Sequence, residues 1–380
     1  MMLRMPGNLS PGSFLARYWQ KHPLFMPAAT GRLKPAISRN ELAWLATLED
    51  VESRLVFTEK DATGTRYRVE TGPFAPTYLA ALPRRDWTLL VHDVEKHLPA
   101  LRGLFALVPF VPDWRIDDLM VSFAAPGGSV GPHLDQYDVF LCQGTGTRQW
   151  RVLEDDVAPD PLACDDLSLL APFAGETFDT QQGDVLYLPP GVAHWGIAQR
   201  ACLTYSIGMR APRQSDLLDE FGIECLDENP FYADPDLAED EVRPGYISPA
   251  AVARAKELVA AVARIDDQPI SVALGRCLTR PKAWLRPDCP ETREIDELIA
   301  RGLPRRGLRM HGMARVAWDD AHVFANGNHV ALPAGAQAAI AALCDLRHTG
   351  RSFADESLSP LLGWLLSMGV FELDTVHPNM

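Results

Sequence analysis

Short apolar runs separated by glycine and proline turns fill residues 114–210. The segments WRIDDLMVSFAA, GPHLDQYDVFLCQ, RQWRVLE, GDVLYLPPGVAHWGIA and CLTYSIGMR have the composition of β-strands or strand pairs. Strands at this spacing predict a β-barrel or jelly roll. Residues 1–100 mix two patterns: apolar residues at helical spacing follow Ser10-Pro11, and two strand-like segments flank the turn DATGT.

Beyond residue 213 the pattern becomes helical. The segment SPAAVARAKELVAAVARI predicts a helix with Ser248 as its N-cap and Pro249 in its first turn. Its alanine-rich stripe would pack in a helical module or at a dimer interface. The last hundred residues predict a hairpin at NGN and two helices, which together resemble a winged helix. The predicted division is therefore 1–213, 214–275 and 276–380.

Composition and charge narrow the class of protein. A chain of 380 residues should form two or three domains. Its net charge of −14 disfavours binding to phosphate backbones and favours a basic protein as partner. No apolar run is long enough to cross a membrane, and the seven cysteines are scattered without CxxC spacing. We therefore expect a soluble cytoplasmic protein with reduced thiols.

The sequence GSVGPHLDQYDVF carries the first candidate chemistry. On a regular strand His133, Asp135 and Tyr137 would share one face, because alternate side chains point the same way. His133 and Asp135 alone could equally be structural residues of a strand. A third candidate, His194, follows the sharp turn Pro189-Pro190-Gly191 about 60 residues later. Two histidines and one carboxylate form the facial triad of non-haem iron(II) oxygenases, and zinc could bind the same ligands.

The segments GGSVGPHLDQYDVFLCQGTGTRQWRV and GDVLYLPPGVAHWG resemble the Jumonji-C class of cupin-fold, 2-oxoglutarate-dependent oxygenases. More narrowly, they resemble the bacterial ribosomal oxygenases that hydroxylate an arginine of large-subunit ribosomal protein L-sixteen. YWQKHPLFM near the N-terminus also fits that family. The resemblance implies a mixed α+β fold: a double-stranded β-helix (jelly-roll, cupin) catalytic domain, a helical dimerisation segment and a winged-helix-like C-terminal domain.

The resemblance also implies the cofactors and the residues that hold them. Fe(II) would be bound by His133, Asp135 and His194, with 2-oxoglutarate as cosubstrate and O2 as oxidant. Arg148, just after the GTG turn, would pair with the distal carboxylate of 2-oxoglutarate. Ser122 matches a family position that hydrogen-bonds the cosubstrate, and Thr204 would line the same cavity.

An arginine substrate requires a pocket with an anion and a flat apolar clamp. Strand alternation places Asp118 and Met120 on the face of Ser122, and Ser206 on the face of Thr204, while Asp117 should point the other way. The candidate substrate contacts are therefore Asp118, Met120, Tyr137 and Ser206.

The resemblance makes a basic ribosomal protein of the large subunit the expected partner, and the chain a homodimer. No direct DNA binding and no membrane contact are expected. Three alternatives stay open: a hydroxylase of another basic protein with a histidine target, a non-oxidative metal-binding cupin, and a DNA-binding regulator. The net charge disfavours the last of these, since LPRRGLR is the sole candidate basic run.

Overall fold

The computed structural model describes residues 2–31, 36–61, 64–160, 169–219, 231–259, 267–301, 307–349, 353 and 355–372. The chain divides into two units. The first comprises Met1–Phe110, Ile116–Arg210 and Pro235–Leu237, and the second comprises Val111–Arg115, Ala211–Asp234 and Ala238–Met380. The predicted three-part division stays a prediction.

The first unit is built mainly of antiparallel strands. Its strands are β1 (Leu24–Met26), β2 (Ser53–Asp61), β3 (Gly64–Thr71), β4 (Trp87–Val91), β5 (Ile116–Ala124), β6 (Val139–Thr145), β7 (Thr147–Leu153), β8 (Glu176–Gln181), β9 (Val185–Leu188), β10 (Ala193–Ala198) and β11 (Cys202–Met209). Its helices are α1 (Pro11–Arg17), α2 (Arg39–Leu45), α3 (Pro76–Ala80) and α4 (Val94–His97). Helix α1 begins where the sequence predicts, because the Ser10 hydroxyl accepts the Ser13 N–H at 3.1 Å.

Two sheets face each other across the core of this unit. The larger has the order β1-β9-β6-β11-β5-β4-β2-β3, and the smaller has the order β10-β7-β8. Apolar residues from both sheets form one cluster: Val139, Leu141, Leu186 and Leu188 from the larger, with Trp150 and Val152 from the smaller. The predicted jelly-roll barrel is thereby confirmed, and its inner face is the one that carries this cluster.

One part of the strand prediction is wrong. Residues 131–138 do not form a regular strand, and β6 begins only at Val139. Gly131 has a φ of +88°, and a Cβ there would lie 2.8 Å from the Leu169 side chain. This left-handed glycine, followed by Pro132, which has no N–H, interrupts a strand ladder. The segment is held by single bridges instead, such as His133 to His194.

The second unit contains six helices and five short strands among its described residues. The helices are α5 (Gln214–Asp219), α6 (Pro249–Val259), α7 (Asp267–Thr279), α8 (Thr292–Arg301), α9 (Gln337–Leu346) and α10 (Ser359–Ser367). The strands are β12 (Arg309–Met310), β13 (Val316–Trp318), β14 (His322–Ala325), β15 (Asn328–Ala331) and β16 (Phe371–Glu372). They form a sheet β13-β14-β15 and a pair β12-β16.

Two local predictions for this unit are confirmed. Ser248 caps α6, since its hydroxyl accepts the Ala251 N–H at 2.9 Å. The NGN turn joins β14 to β15 with both Asn326 and Gly327 at positive φ, as a tight two-residue hairpin requires. The winged-helix likeness stays a prediction. In the described part of the chain, no helix is long and apolar enough to cross a bilayer.

The alanine stripe of α6 packs inside its own unit. Ala251 and Ala255 are buried together with Ile270 and Leu274 of α7 and Phe324 of β14. The sequence allowed this stripe to pack in a helical module or at a dimer interface. The structure shows it packed in a helical module. Residues 260–266, which the predicted helix also covered, lie outside the described residues.

Candidate metal centre

Three potential metal ligands meet between the two sheets of the first unit. One ligand atom each from His133, Asp135 and His194 lies within 4.8 Å of the other two. His194 Nε2 is 3.6 Å from Asp135 Oδ2, and the two imidazole centroids are 4.2 Å apart. Metal bonds of about 2.1 Å would draw such atoms together through small side-chain rotations. Within the described residues, no other group of three His, Cys, Asp or Glu side chains is arranged this way.

Main-chain hydrogen bonds hold the ligands in place. The backbones of His133 and His194 exchange hydrogen bonds of 3.0 and 2.8 Å, which joins the irregular segment to β10. The Asp135 carbonyl accepts the N–H of Gly191, from the Pro189-Pro190-Gly191 turn, at 2.7 Å. The turn identified in the sequence therefore positions both His194 and Asp135.

The histidines are in the tautomer that suits a metal. Nδ1 of His133 donates to the Gly131 carbonyl at 2.9 Å, and Nδ1 of His194 donates to the Val192 carbonyl at 3.0 Å. Each Nε2 then carries the free lone pair. Burial, together with the neighbouring His133, lowers the pKa of His194 to about 4. This imidazole is therefore neutral near pH 7, as a metal ligand must be.

Arg148 lies on the inner face of β7, and none of the described residues gives it an anionic partner. Its residue is 5% exposed, and its Nε and Nη2 find no hydrogen-bond acceptor in the described part of the chain. The guanidinium lies 5.3 Å from the centre of the Trp150 ring, whose centroid is 6.0 Å from that of His194. A buried cation with unused donors is costly unless a ligand completes it. A carboxylate matches both its charge and its planar fork.

A polar network that the sequence analysis missed supports Arg148. The Thr180 hydroxyl lies 2.8 Å from the Arg148 carbonyl and 3.2 Å from Gln143 Oε1. The hydroxyl of Thr204, a predicted cosubstrate contact, donates to the same Gln143 oxygen at 3.3 Å. The proton of Thr204 is therefore turned toward Gln143 in this structure. In the sequence, the one signal for Gln143 is that a polar residue ends the apolar run VFLCQ.

Strand register brings the other predicted residues to the inner face. Thr204 of β11 pairs with Ser122 of β5, and Ser206 pairs with Met120. Directly opposite residues of antiparallel strands point to the same side of the sheet. Asp118 continues this row two residues before Met120. Asp117, which the register shift between β5 and β11 skips, pairs with Arg210 at 3.3 Å, and its outward direction stays a prediction.

Tyr137 reaches the same area from the irregular segment. Asp118 and the Tyr137 ring both flank Gly208 of β11, where a Cβ would lie 3.0 Å from Asp118 Oδ1 and 3.9 Å from the ring. Burial, with Asp135, Asp118 and Asp117 nearby, raises the pKa of the Tyr137 phenol well above its usual value. An uncharged aromatic ring therefore stands beside a carboxylate.

A group of charges next to Asp118 also escaped the sequence analysis. His92 Nδ1 lies 3.3 Å from Asp118 Oδ2. Asp93, Glu95 and Lys96 are all buried, and the Lys96 ammonium contacts the Asp93 carboxylate. The sequence HDVEKH hinted at this group only by placing charges directly after an apolar strand.

The buried carboxyl of Glu95 predicts a pH-dependent contribution to stability. Burial raises its pKa from 4.5 to about 7, so the folded protein favours the protonated form. This contribution is complete below about pH 4.5 and is lost as the pH rises through about 7. We expect the Tm of the wild type, relative to Glu95→Gln, to fall between about pH 4.5 and 7 and to level off above pH 7. Thermal unfolding of both proteins across that range measures it, and a constant difference would contradict it.

The fold and the ligand set define a JmjC-type cupin domain. The JmjC domain family model matches residues 104–217, which include all three candidate metal ligands and Arg148. This part of the chain is therefore similar to JmjC domains.

The chain is further similar to bacterial ribosomal oxygenases. It is 38% identical over 250 residues to the ribosomal protein uL16 3-hydroxylase of Escherichia coli K12, which covers 65% of each protein. It is 36% identical over 240 residues to a probable ribosomal oxygenase of Haemophilus influenzae Rd, covering 61% of this chain and 56% of that protein. The chain thus aligns with somewhat less than two thirds of the length of either relative.

Solved structures give the same likeness over a longer span. The X-ray structure of E. coli ycfD has a TM-score of 0.73 and 29% identity, covering 98% of this chain and 100% of that one. Another structure of YcfD, described as a ribosomal oxygenase in complex with cobalt and 2-oxoglutarate, has a TM-score of 0.70 at 29% identity. It covers 98% of this chain and 99% of that chain.

Proposed function

We propose that this chain is an Fe(II)- and 2-oxoglutarate-dependent protein hydroxylase that acts on an arginine side chain of ribosomal protein uL16 (L-sixteen). One observation supports this most strongly: Arg148, whose buried Nε and Nη2 have no hydrogen-bond partner among the described residues, shares the inner face with His133, Asp135 and His194. A metal-binding cupin that does not use an anionic cosubstrate has no need of such a cation. The names of the relatives support the same activity.

Each group has a defined task in this proposal. His133, Asp135 and His194 would hold the iron with one ligand atom each. When bound, iron and 2-oxoglutarate supply the oxidation: O2 is consumed, succinate and carbon dioxide are released, and one oxygen atom enters a substrate C–H bond. Arg148 binds the distal carboxylate of 2-oxoglutarate, and Ser122 and Thr204 line that end of the site.

The substrate side would be formed by Asp118, Met120, Tyr137 and Ser206. Asp118 offers a carboxylate to a cation, while the Tyr137 ring and the Met120 side chain offer flat or adaptable apolar surface. This combination suits a guanidinium better than a neutral side chain. A histidine of another basic protein is the second candidate target, since an imidazolium would meet the same carboxylate.

The acidic net charge also indicates the kind of partner. A basic ribosomal protein fits the net charge of −14, and the same charge disfavours direct DNA binding. Action on a ribosomal protein would place the chain in the cytoplasm. We also propose a homodimer, supported only by the family resemblance, because the alanine stripe of α6 is used within its own unit.

The function is tested with synthetic peptides. We expect that the protein, given Fe(II), 2-oxoglutarate and arginine-containing peptides of uL16, adds one oxygen atom to one peptide, read by mass spectrometry, and releases an equal amount of succinate. A peptide with citrulline in place of that arginine is the matched control, because it keeps the shape and removes the charge. Oxygenation of a histidine-containing peptide instead would make histidine the target residue and contradict the arginine assignment. Absence of any 2-oxoglutarate turnover would refute the activity.

A further inference from the structure

The turn that follows β4 carries an unusual concentration of buried charge. His92 and Asp93 connect β4 to α4, which contains Glu95 and Lys96, and Asp93 adopts a left-handed conformation with φ of 55° at the start of that helix. Asp93, Glu95 and Lys96 are only 1%, 2% and 8% exposed. Charged side chains are rarely buried so fully unless they are paired or serve a purpose. The family likeness assigns none of them a role in the site.

Glu95 forms a hydrogen bond with the part of β5 that β4 does not reach. Strand β4 pairs with β5 only as far as Val91 and Val121, so the part of β5 before Val121 extends beyond the end of β4. At that edge the Leu119 N–H donates to Glu95 Oε2 at 2.9 Å. A main-chain donor that would otherwise be buried without a partner is satisfied by a side chain instead. Leu119 stands between Asp118 and Met120, two of the proposed substrate contacts.

The same turn reaches Asp118 itself. His92 Nδ1 lies 3.3 Å from Asp118 Oδ2, and the Asp93 N–H approaches the same oxygen at 3.4 Å. Residues 92, 93 and 95 therefore hold both the side chain of Asp118 and the backbone that follows it. A shift of this turn would move the carboxylate that is proposed to meet the substrate.

The turn brings acidic groups together around one ammonium. The Lys96 ammonium contacts Asp93 and lies 3.9 Å from Glu95 Oε1, while Asp118 stands nearby. The carboxylates of Asp93 and Asp118 contribute a negative potential here, which favours an incoming cation at Asp118. The pKa of Glu95, raised mainly by burial and further by Asp118 and Asp93, is consistent with this crowding of acidic groups.

We infer that Glu95 is a positioning residue for substrate recognition: by accepting the Leu119 N–H, it fixes the segment of β5 on which Asp118 and Met120 stand. We expect it to act on the protein substrate and not on the cosubstrate, because Leu119 lies between Asp118 and Met120, beyond the end of β4, whereas Ser122, the cosubstrate contact on the same strand, is still paired with Leu90 of β4. The inference rests on the proposed function, since it assumes that Asp118 meets a cationic side chain.

Steady-state kinetics with the arginine peptide test the inference. Glu95→Ala should raise the KM for the peptide about tenfold, as expected for loss of a buried hydrogen bond that orients a contact residue. Its kcat and its KM for 2-oxoglutarate should stay within about twofold of the wild type. Glu95→Gln keeps an acceptor for Leu119 N–H, so it should restore most of the peptide affinity. Leu79→Ala, a buried change on α3, controls for a general loss of stability.

A double substitution distinguishes a positioning role of Glu95 from a purely structural role. If Glu95 acts through Asp118, Glu95→Ala should change the peptide KM less than about twofold in an Asp118→Asn background. An unchanged peptide KM in Glu95→Ala, or fully additive effects of the two substitutions, would overturn the inference. If instead the wild type shows no turnover of 2-oxoglutarate with iron, the proposed function has failed. The two failures are therefore distinguishable in one set of assays.

Discussion

His133→Ala should abolish 2-oxoglutarate turnover and metal binding together. The three ligand atoms lie within 4.8 Å of one another, so each side chain would supply one of the protein's three bonds to the ion. Loss of a partner that only orients a ligand costs roughly 10–100-fold in metal affinity or activity, and loss of the ligand itself should cost more, on the order of a thousandfold. Asp135→Ala and His194→Ala should behave in the same way.

Metal binding gives this prediction a readout besides activity. Titration with Fe(II) without oxygen, or with Co(II) followed by absorbance, should show one ion per chain for the wild type and none for the three variants. His22→Ala is the matched control, because His22 is an exposed histidine that pairs with Glu154. Succinate production by His133→Ala at the wild-type rate would remove His133 from the metal centre.

Arg148→Ala should raise the KM for 2-oxoglutarate by roughly a hundredfold. Buried Nε and Nη2 donors that lack a partner are suited to a bidentate carboxylate, and a charge-assisted pair of this kind contributes about 1.5–3 kcal/mol. Arg148→Lys keeps the charge but loses the fork, so its KM should fall between the two. Arg151→Ala is the matched control, since Arg151 lies on the opposite face of the same strand and stacks on Trp195.

A second substitution of Arg148 tests its effect on the stability of the fold, which should differ from its effect on cosubstrate binding. Without cosubstrate, Arg148 is a buried cation with unsatisfied donors, and its replacement by an apolar side chain of similar length should not destabilise the fold. Arg148→Met should therefore have a Tm at or above that of the wild type in the absence of 2-oxoglutarate. With metal present in both cases, added 2-oxoglutarate should raise the Tm of the wild type but not that of Arg148→Met. An unchanged KM together with a lower Tm would show that Arg148 is a structural residue.

The sequence was sufficient for the parts of the protein that depend on local chemistry. Alternating apolar residues between glycine and proline turns predicted the jelly-roll strands, and Ser10 and Ser248 predicted two helix starts that the structure confirms. His133, Asp135 and His194 could be selected because metal ligands are chemically rare side chains in a recognisable spacing. Their proximity could be inferred only through the family pattern, since about 60 residues separate them.

Other features depended on contacts that no local pattern encodes. The sequence could not show that residues 131–138 leave the strand ladder, because the close approach of the Leu169 side chain to Gly131, where a Cβ would lie 2.8 Å from it, arises only from tertiary packing. It also could not show that Gln143 and Thr180 support Arg148, or that Glu95 replaces a strand beside Leu119. By itself, then, the sequence determined the strand pattern, the helix caps and the set of candidate ligands. The tertiary structure alone decided which buried polar groups meet, because partners far apart in sequence are brought together only when the two sheets pack.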